Sequence, residues 1–160
     1  MKLSDRTINL LKNFASINQS ILFKQGNQLR TISVMKNILA EANIDEDFPQ
    51  DFGVYDLSQF LNSLGLFQEP ELNFTGQSFV NIKEGKQRSK YFFADPSVIV
   101  SPPEKSITLP SVDVEFTLRS SQLDRLLKAA GVYHLTDLSV IGDGKDCLLY
   151  TSPSPRDMWT

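Results

Sequence analysis

One cysteine, one tryptophan and one histidine are all that the 160 residues contain of three residue types that often mark function. Cys147 by itself says nothing about redox compartment. His134 alone supports neither a His-based metal site nor a Ser-His-Asp arrangement, so a residue in a loop or at a strand edge is expected. No stretch approaches the ~20 consecutive apolar residues of a membrane span, and the N-terminus lacks the basic-then-apolar layout of a signal peptide. These absences predict a cytoplasmic protein with no membrane partner. A phosphate loop is missing too: Gly142-Asp143-Gly144-Lys145 is followed by Asp146 where Ser or Thr is needed, and its first glycine is misplaced, so a turn is expected. The acidic stretch Asp45-Glu46-Asp47 with Asp51 lacks the spacing of a calcium loop and reads as a solvated loop. We read no catalytic residue, no metal ligand and no cofactor. A net charge of −3 also argues against a protein that simply coats nucleic acid.

What is present begins with an amphipathic helix. Leu3, Thr7, Leu10, Leu11, Phe14 and Ile17 recur at helical spacing, with Ser4 as its N-cap. The other side carries Lys2, Asp5, Asn9, Lys12, Asn13 and Ser16, with Arg6 on the flank. A second such helix is expected over Ser120 to Ala130, where Leu126-Leu127-Lys128 repeats Leu10-Leu11-Lys12 and Arg125 and Lys128 lie opposite Leu123, Leu126, Leu127 and Ala130. Each helical segment, counted with Lys2 in one and Arg119 in the other, carries a formal +2, so the remainder of the −3 chain carries −7. Basic helices on an acidic body point to a focused surface for a polyanion.

Between the helices, Ser20–Gln25 and Gln28–Val34 are expected to form a hairpin around Gly26-Asn27, with Ile38–Ile44 as a third strand of a meander. Phe52–Tyr55 leads into a helix over Asp56–Leu64 whose exposed side presents Gln59, Asn62 and Ser63, and Gly65 ends it. Three strands follow, Glu71–Thr75, Ser78–Lys83 and Arg88–Ala94. The order suggests an internal duplication, half against half. Val98–Val100 reads as extended, residues 101–110 as a linker, Val112–Leu118 and Leu138–Ile141 as strands. The string from Cys147 to Asp157 resembles one reading frame of a transposase-type sequencing adapter. That resemblance implies a coding sequence interrupted near Asp146, read-through over Met158-Trp159-Thr160, and a non-native tail over 147–160.

Lys2-Leu3-Ser4, Leu10 to Ala15, Ala40 to Ile44, Tyr55-Asp56-Leu57 and Ala94 to Ser97 together, in order along residues 1–146, resemble the sliding clamp of large tailed phages. The resemblance implies an α+β DNA-clamp fold, helices on one face of antiparallel sheets, with residues 1–100 a complete domain and 111–146 the start of a truncated second one. It implies a processivity factor that tethers DNA polymerase to duplex DNA without reading sequence, opened by a clamp loader and closed as a homotrimer when full length. The DNA-facing residues would be Lys2, Arg6, Asn9, Lys12, Asn13, Gln59, Asn62, Ser63, Arg125 and Lys128. Asp5 departs from a uniformly positive lining. Two other expectations compete: an interaction scaffold of the same fold that does not encircle DNA, and a small hydrolase with an unrecognised pocket.

Overall fold

Ser4 sets the start of the first element. Its hydroxyl accepts from the Thr7 N–H at 3.2 Å, and helix α1 runs Asp5–Ile17. Leu3 and Lys2 therefore precede the helix instead of opening it. The structure, a computed structural model, describes residues 1–145 and 147–152 and divides into two units, Met1–Lys105 and Ser106–Thr160.

In the first unit α1 buries Thr7, Leu11 and Phe14, and Leu3, Ile8, Leu10 and Ala15 pack partly buried against the same core. Strand β1 (Ile21–Phe23) does not form the expected hairpin with the segment after Gly26. It pairs antiparallel with β4 (Phe52–Val54), Phe23 opposite Phe52. Aromatic packing explains the choice: the Phe23 ring stacks on Phe52 at 4.4 Å and meets Phe48 edge-on at 5.0 Å, with Phe93 4.8 Å from Phe52. Such pairs add about 0.5–1.5 kcal/mol beyond the burial of their area. Gly26, at φ 109°, turns the chain out of β1 instead of closing a hairpin.

The first hairpin is β2 (Gly26–Ile32) with β3 (Leu39–Phe48). Its loop is closed by the Ser33 N–H donating to Ile38 O at 2.9 Å, with Lys36 left-handed at φ 57°. Strand β3 runs four residues past the predicted Ile44, through the acidic stretch that was expected to be a loop. Alternation accommodates it: Ile44 and Phe48 point inward while Asp45 and Asp47 are exposed. Helix α2 (Leu57–Leu64) follows, with the Asp56 carboxylate accepting from the Gln59 N–H at 3.0 Å and Leu57, Phe60, Leu61 and Leu64 buried. Then comes the expected meander β5 (Glu71–Asn73), β6 (Phe79–Glu84) and β7 (Gln87–Phe92), the last two joined through Gly85 at φ 57°.

Two contacts close the unit over long spans. Ala94 bridges to Gly53, where an added Cβ would lie 2.7 Å from Ala94 O and from Ile99 Cδ1, so only glycine fits. Asn18, buried, donates from Nδ2 to Ile32 O (2.9 Å) and Val100 O (3.2 Å) and accepts from the Ser20 N–H (2.9 Å). Val98 closes a short 3-10 turn, Pro96–Val98, where an extended segment was expected, because the Asp95 carboxylate accepts from the Ser97 N–H at 2.8 Å.

The second unit contains α3 (Ser120–Val132) and the antiparallel pair β8 (Asp137–Gly142) and β9 (Cys147–Ser152). Val112–Leu118 forms no strand: among the described residues it pairs with nothing, and Val112, Val114 and Phe116 are exposed. The Gly142–Lys145 turn is present, with Gly144 at φ 85° and the Lys145 N–H donating to Asp143 Oδ1 at 2.9 Å. The adapter-like string thus begins within β9, and its remainder and the supposed read-through, 153–160, lie outside the described residues. Among the residues of this unit whose burial is described, 106–145 with Leu149 and Thr151, none is buried.

Candidate nucleic-acid interface

The polar side of α1 is exposed along its length: Asp5, Arg6, Asn9, Lys12, Asn13 and Ser16. Lys12 and Asn9 have no side-chain hydrogen bond or ion pair among the described residues, which leaves them open to a partner. Arg6 is partly committed, donating from Nη1 to Asn43 O of β3 at 3.2 Å. Lys2 is not part of this side. It precedes the helix, and its Nζ lies 2.8 Å from Glu69 Oε2 in an exposed pair. The hydrogen bond and charge of Glu69 raise the lysine's pKa, and those of Lys2 lower the pKa of Glu69. An exposed pair of this kind gives up its partner readily.

On α2, Gln59 and Asn62 are exposed and Ser63 is half-buried. The Ser63 hydroxyl donates back to Phe60 O at 2.6 Å, so as a donor it is occupied. The exposed side of this helix therefore offers amides and no charge. In the second unit Arg125 and Lys128 are both exposed on α3, and Arg125 also lines a shallow recess with Phe116, Leu118 and Leu126. Exposed cationic side chains attract phosphates in general, an interaction that gives affinity without sequence information.

What orients α1 was not visible in its own sequence. Glu46 of β3 accepts from the Ser4 N–H and, at 2.7 Å, from the Thr7 hydroxyl, while Thr7 itself is fully buried. Burial works to raise the Glu46 pKa, but the hydrogen bonds from Ser4 and Thr7 outweigh it and the net direction is down. A carboxylate at the positive end of a helix is favourable as well. Only the alternation of β3, with Glu46 on the same side as Ile44 and Phe48, hinted that this acid faces inward.

Amphipathic helices backed by antiparallel hairpins, with hydrogen-bonding and basic side chains left facing out, define an α+β protein of the DNA-clamp class. The chain belongs to the DNA polymerase processivity factor family, whose description matches residues 2–101. It is similar to three phage proteins described as "Sliding clamp". Identity is 34% over 142 residues to that of Vibrio phage KVP40, covering 88% of this chain and 64% of the relative. It is 36% over 148 residues to that of Escherichia phage RB69 and 34% over 148 residues to that of Enterobacteria phage T4, each covering 91% of this chain and 64% of the relative. The chain thus spans a little under two thirds of the length of these relatives.

Proposed function

We propose that the chain acts as part of a sliding clamp subunit, a non-enzymatic processivity factor that encircles duplex DNA and tethers a replicative DNA polymerase. A clamp loader opens the ring, three subunits close it, and the setting is the cytoplasm of a phage-infected bacterium. Residues 1–100 are then one complete domain, 101–110 a connector and 111–146 the opening of a second domain, with 147–160 not native to it. Arg6, Asn9, Lys12, Asn13, Gln59, Asn62, Arg125 and Lys128 face the DNA, Ser63 contributes as an acceptor, and Lys2 joins them when Glu69 releases it.

The observation that carries this reading is the exposed side of α1, on which the side chains of Lys12, Asn9 and Asn13 have no partner among the described residues, on a helix whose other side is buried, in a chain of the processivity-factor family. Exposed contacts to phosphate are individually weak and screened within a Debye length of roughly 8 Å at physiological salt. Retention on DNA then comes from topology. The test is loader-dependent retention of the full-length protein on circular DNA, followed by linearisation of the circle. Retention that vanishes on cutting supports encirclement, whereas equal retention on linear DNA, or a preference for one sequence, overturns it.

A further inference from the structure

The sheet β5–β6–β7 has two unlike sides. Leu72, Val80 and Ile82 belong to the core on which α1 and α2 pack. Alternation sends Phe79, Asn81 and Lys83 of β6 and Arg88, Lys90 and Phe92 of β7 to the other side, where they stand opposite one another as Lys83–Arg88, Asn81–Lys90 and Phe79–Phe92. Phe92 is 67% exposed, and its ring meets that of Phe79 edge-on at 6.1 Å. The Lys90 ammonium lies 4.2 Å from the Phe79 centroid and 5.9 Å from that of Phe92, so a positive charge is held beside an open aromatic ring. Around this side five cations, Lys2, Lys83, Lys86, Arg88 and Lys90, stand against three carboxylates, Glu69, Glu71 and Glu84, a balance of +2. Each carboxylate is engaged: Glu69 with Lys2 at 2.8 Å, Glu71 with Lys83 at 3.7 Å, and Glu84 as acceptor from the Gln68 and Glu69 N–H groups. Lys86, Arg88 and Lys90 have no ion pair among the described residues. Asp56, in the recess along the free edge of β7, caps α2 and leaves the balance positive.

We propose that this side of the sheet binds single-stranded DNA, with a base stacked on Phe92 and neighbouring phosphates on Lys90 and Arg88. An exposed ring beside unpaired cations meets both halves of a nucleotide at once: the ring takes the flat face of an unpaired base, and the cations take the backbone. Arg88 and Lys90 are two residues apart on one strand, roughly 7 Å along it, a spacing that lets each reach a successive phosphate of an extended chain. A duplex keeps its base faces covered and would leave the ring unused, and an acidic peptide would use the cations alone. The site is separate from the helical interface and needs neither a closed ring nor a loader.

The test is fluorescence anisotropy of labelled oligothymidylate titrated with the 160-residue chain, beside a duplex of equal length and an oligoglutamate. Oligothymidylate should bind with a Kd on the order of 100 μM, and the log of the affinity should fall against log salt with a slope of about −1.4, the value for two single-strand phosphate contacts. Phe92→Ala, at an exposed position outside the core, should weaken that binding about tenfold, while Phe92→Tyr, which keeps the ring, should not. Arg88→Glu combined with Lys90→Glu should remove it, with circular dichroism showing an unchanged fold. Four results would overturn the proposal: no binding of oligothymidylate; a Phe92→Ala protein that binds it undiminished or loses duplex or oligoglutamate binding to the same degree; a loss that follows Lys12→Glu instead; or self-association of the chain that Phe92→Ala abolishes, which would give this face to a second copy.

Discussion

Helices α1 and α3 are each 13 residues long and share the Leu-Leu-Lys core of their pattern, yet α1 buries three residues completely and α3 none. Their sequences are equally amphipathic to the eye. The difference lies in what each helix meets: α1 packs on β2, β3 and α2 and on the core the sheets share, whereas α3 has the β8–β9 pair and an unpaired segment ahead of it. Helical periodicity states which side wants burial, and tertiary partners decide whether it happens. Stability in this protein is therefore concentrated before Lys105.

The largest break in that comparison should come from equal truncations of the two helices. Leu11→Ala, at a side chain with no exposure, should destabilise the first unit by about 2–5 kcal/mol. Leu126→Ala, at a half-buried position, should cost less than about 1 kcal/mol. Urea unfolding followed by separate probes in each unit measures both, and similar losses would show that α3 is packed as well as α1.

Two glycines sharpen the contrast with opposite signs. Gly53→Ala drives a methyl group into Ala94 O and Ile99 and should destabilise by about 1–3 kcal/mol. Gly131→Ala in α3 meets nothing within 4 Å and should stabilise that helix by up to about 1 kcal/mol, read as increased helicity by circular dichroism. Glu46→Ala should cost about 1–2 kcal/mol near neutral pH, since two hydrogen-bonded groups lose their acceptor. Its pKa is lowered by folding, so its contribution is present above the unfolded value near 4.5 and disappears as pH falls through the folded one. The gap between wild type and variant in urea midpoint should narrow on acidification; a gap that widens would place the stabilisation elsewhere. The smallest effect on folding belongs to Lys12→Glu and Lys128→Glu, within about 0.5 kcal/mol each because neither side chain is packed. Their effect should appear in a salt series of DNA association, where each lost phosphate contact reduces the log–log slope by about 0.9, equally on all sequences.

Local signals in the sequence were read well and distant ones poorly. Ser4 and Asp56 announce their helices because a cap and its acceptor lie within three residues, and β6–β7 is announced by Gly85. The pairing of β1 with β4 is invisible locally, since Phe23 and Phe52 find each other across a stretch that also contains a complete hairpin. Val112–Leu118 alternates as a strand should, but alternation without a partner strand makes no ladder. In the candidate interface Lys12, Arg125 and Lys128 emerged from periodicity alone. The pairing of Lys2 with Glu69, 67 residues on, left no local trace, and Glu46 was overlooked because an acidic run looks like a loop until its alternation is counted.

Asn18 holds Val100 O across 82 residues, and Gly53 is bridged by Ala94. On a ribosome that adds about 5–20 residues per second, the first hundred residues take roughly 5–20 s to appear. During that interval the phenylalanine cluster around Phe52 has no lid, because Phe93 and Ile99 are not yet made. The contacts that close the first unit can therefore form only after this one short segment has been made.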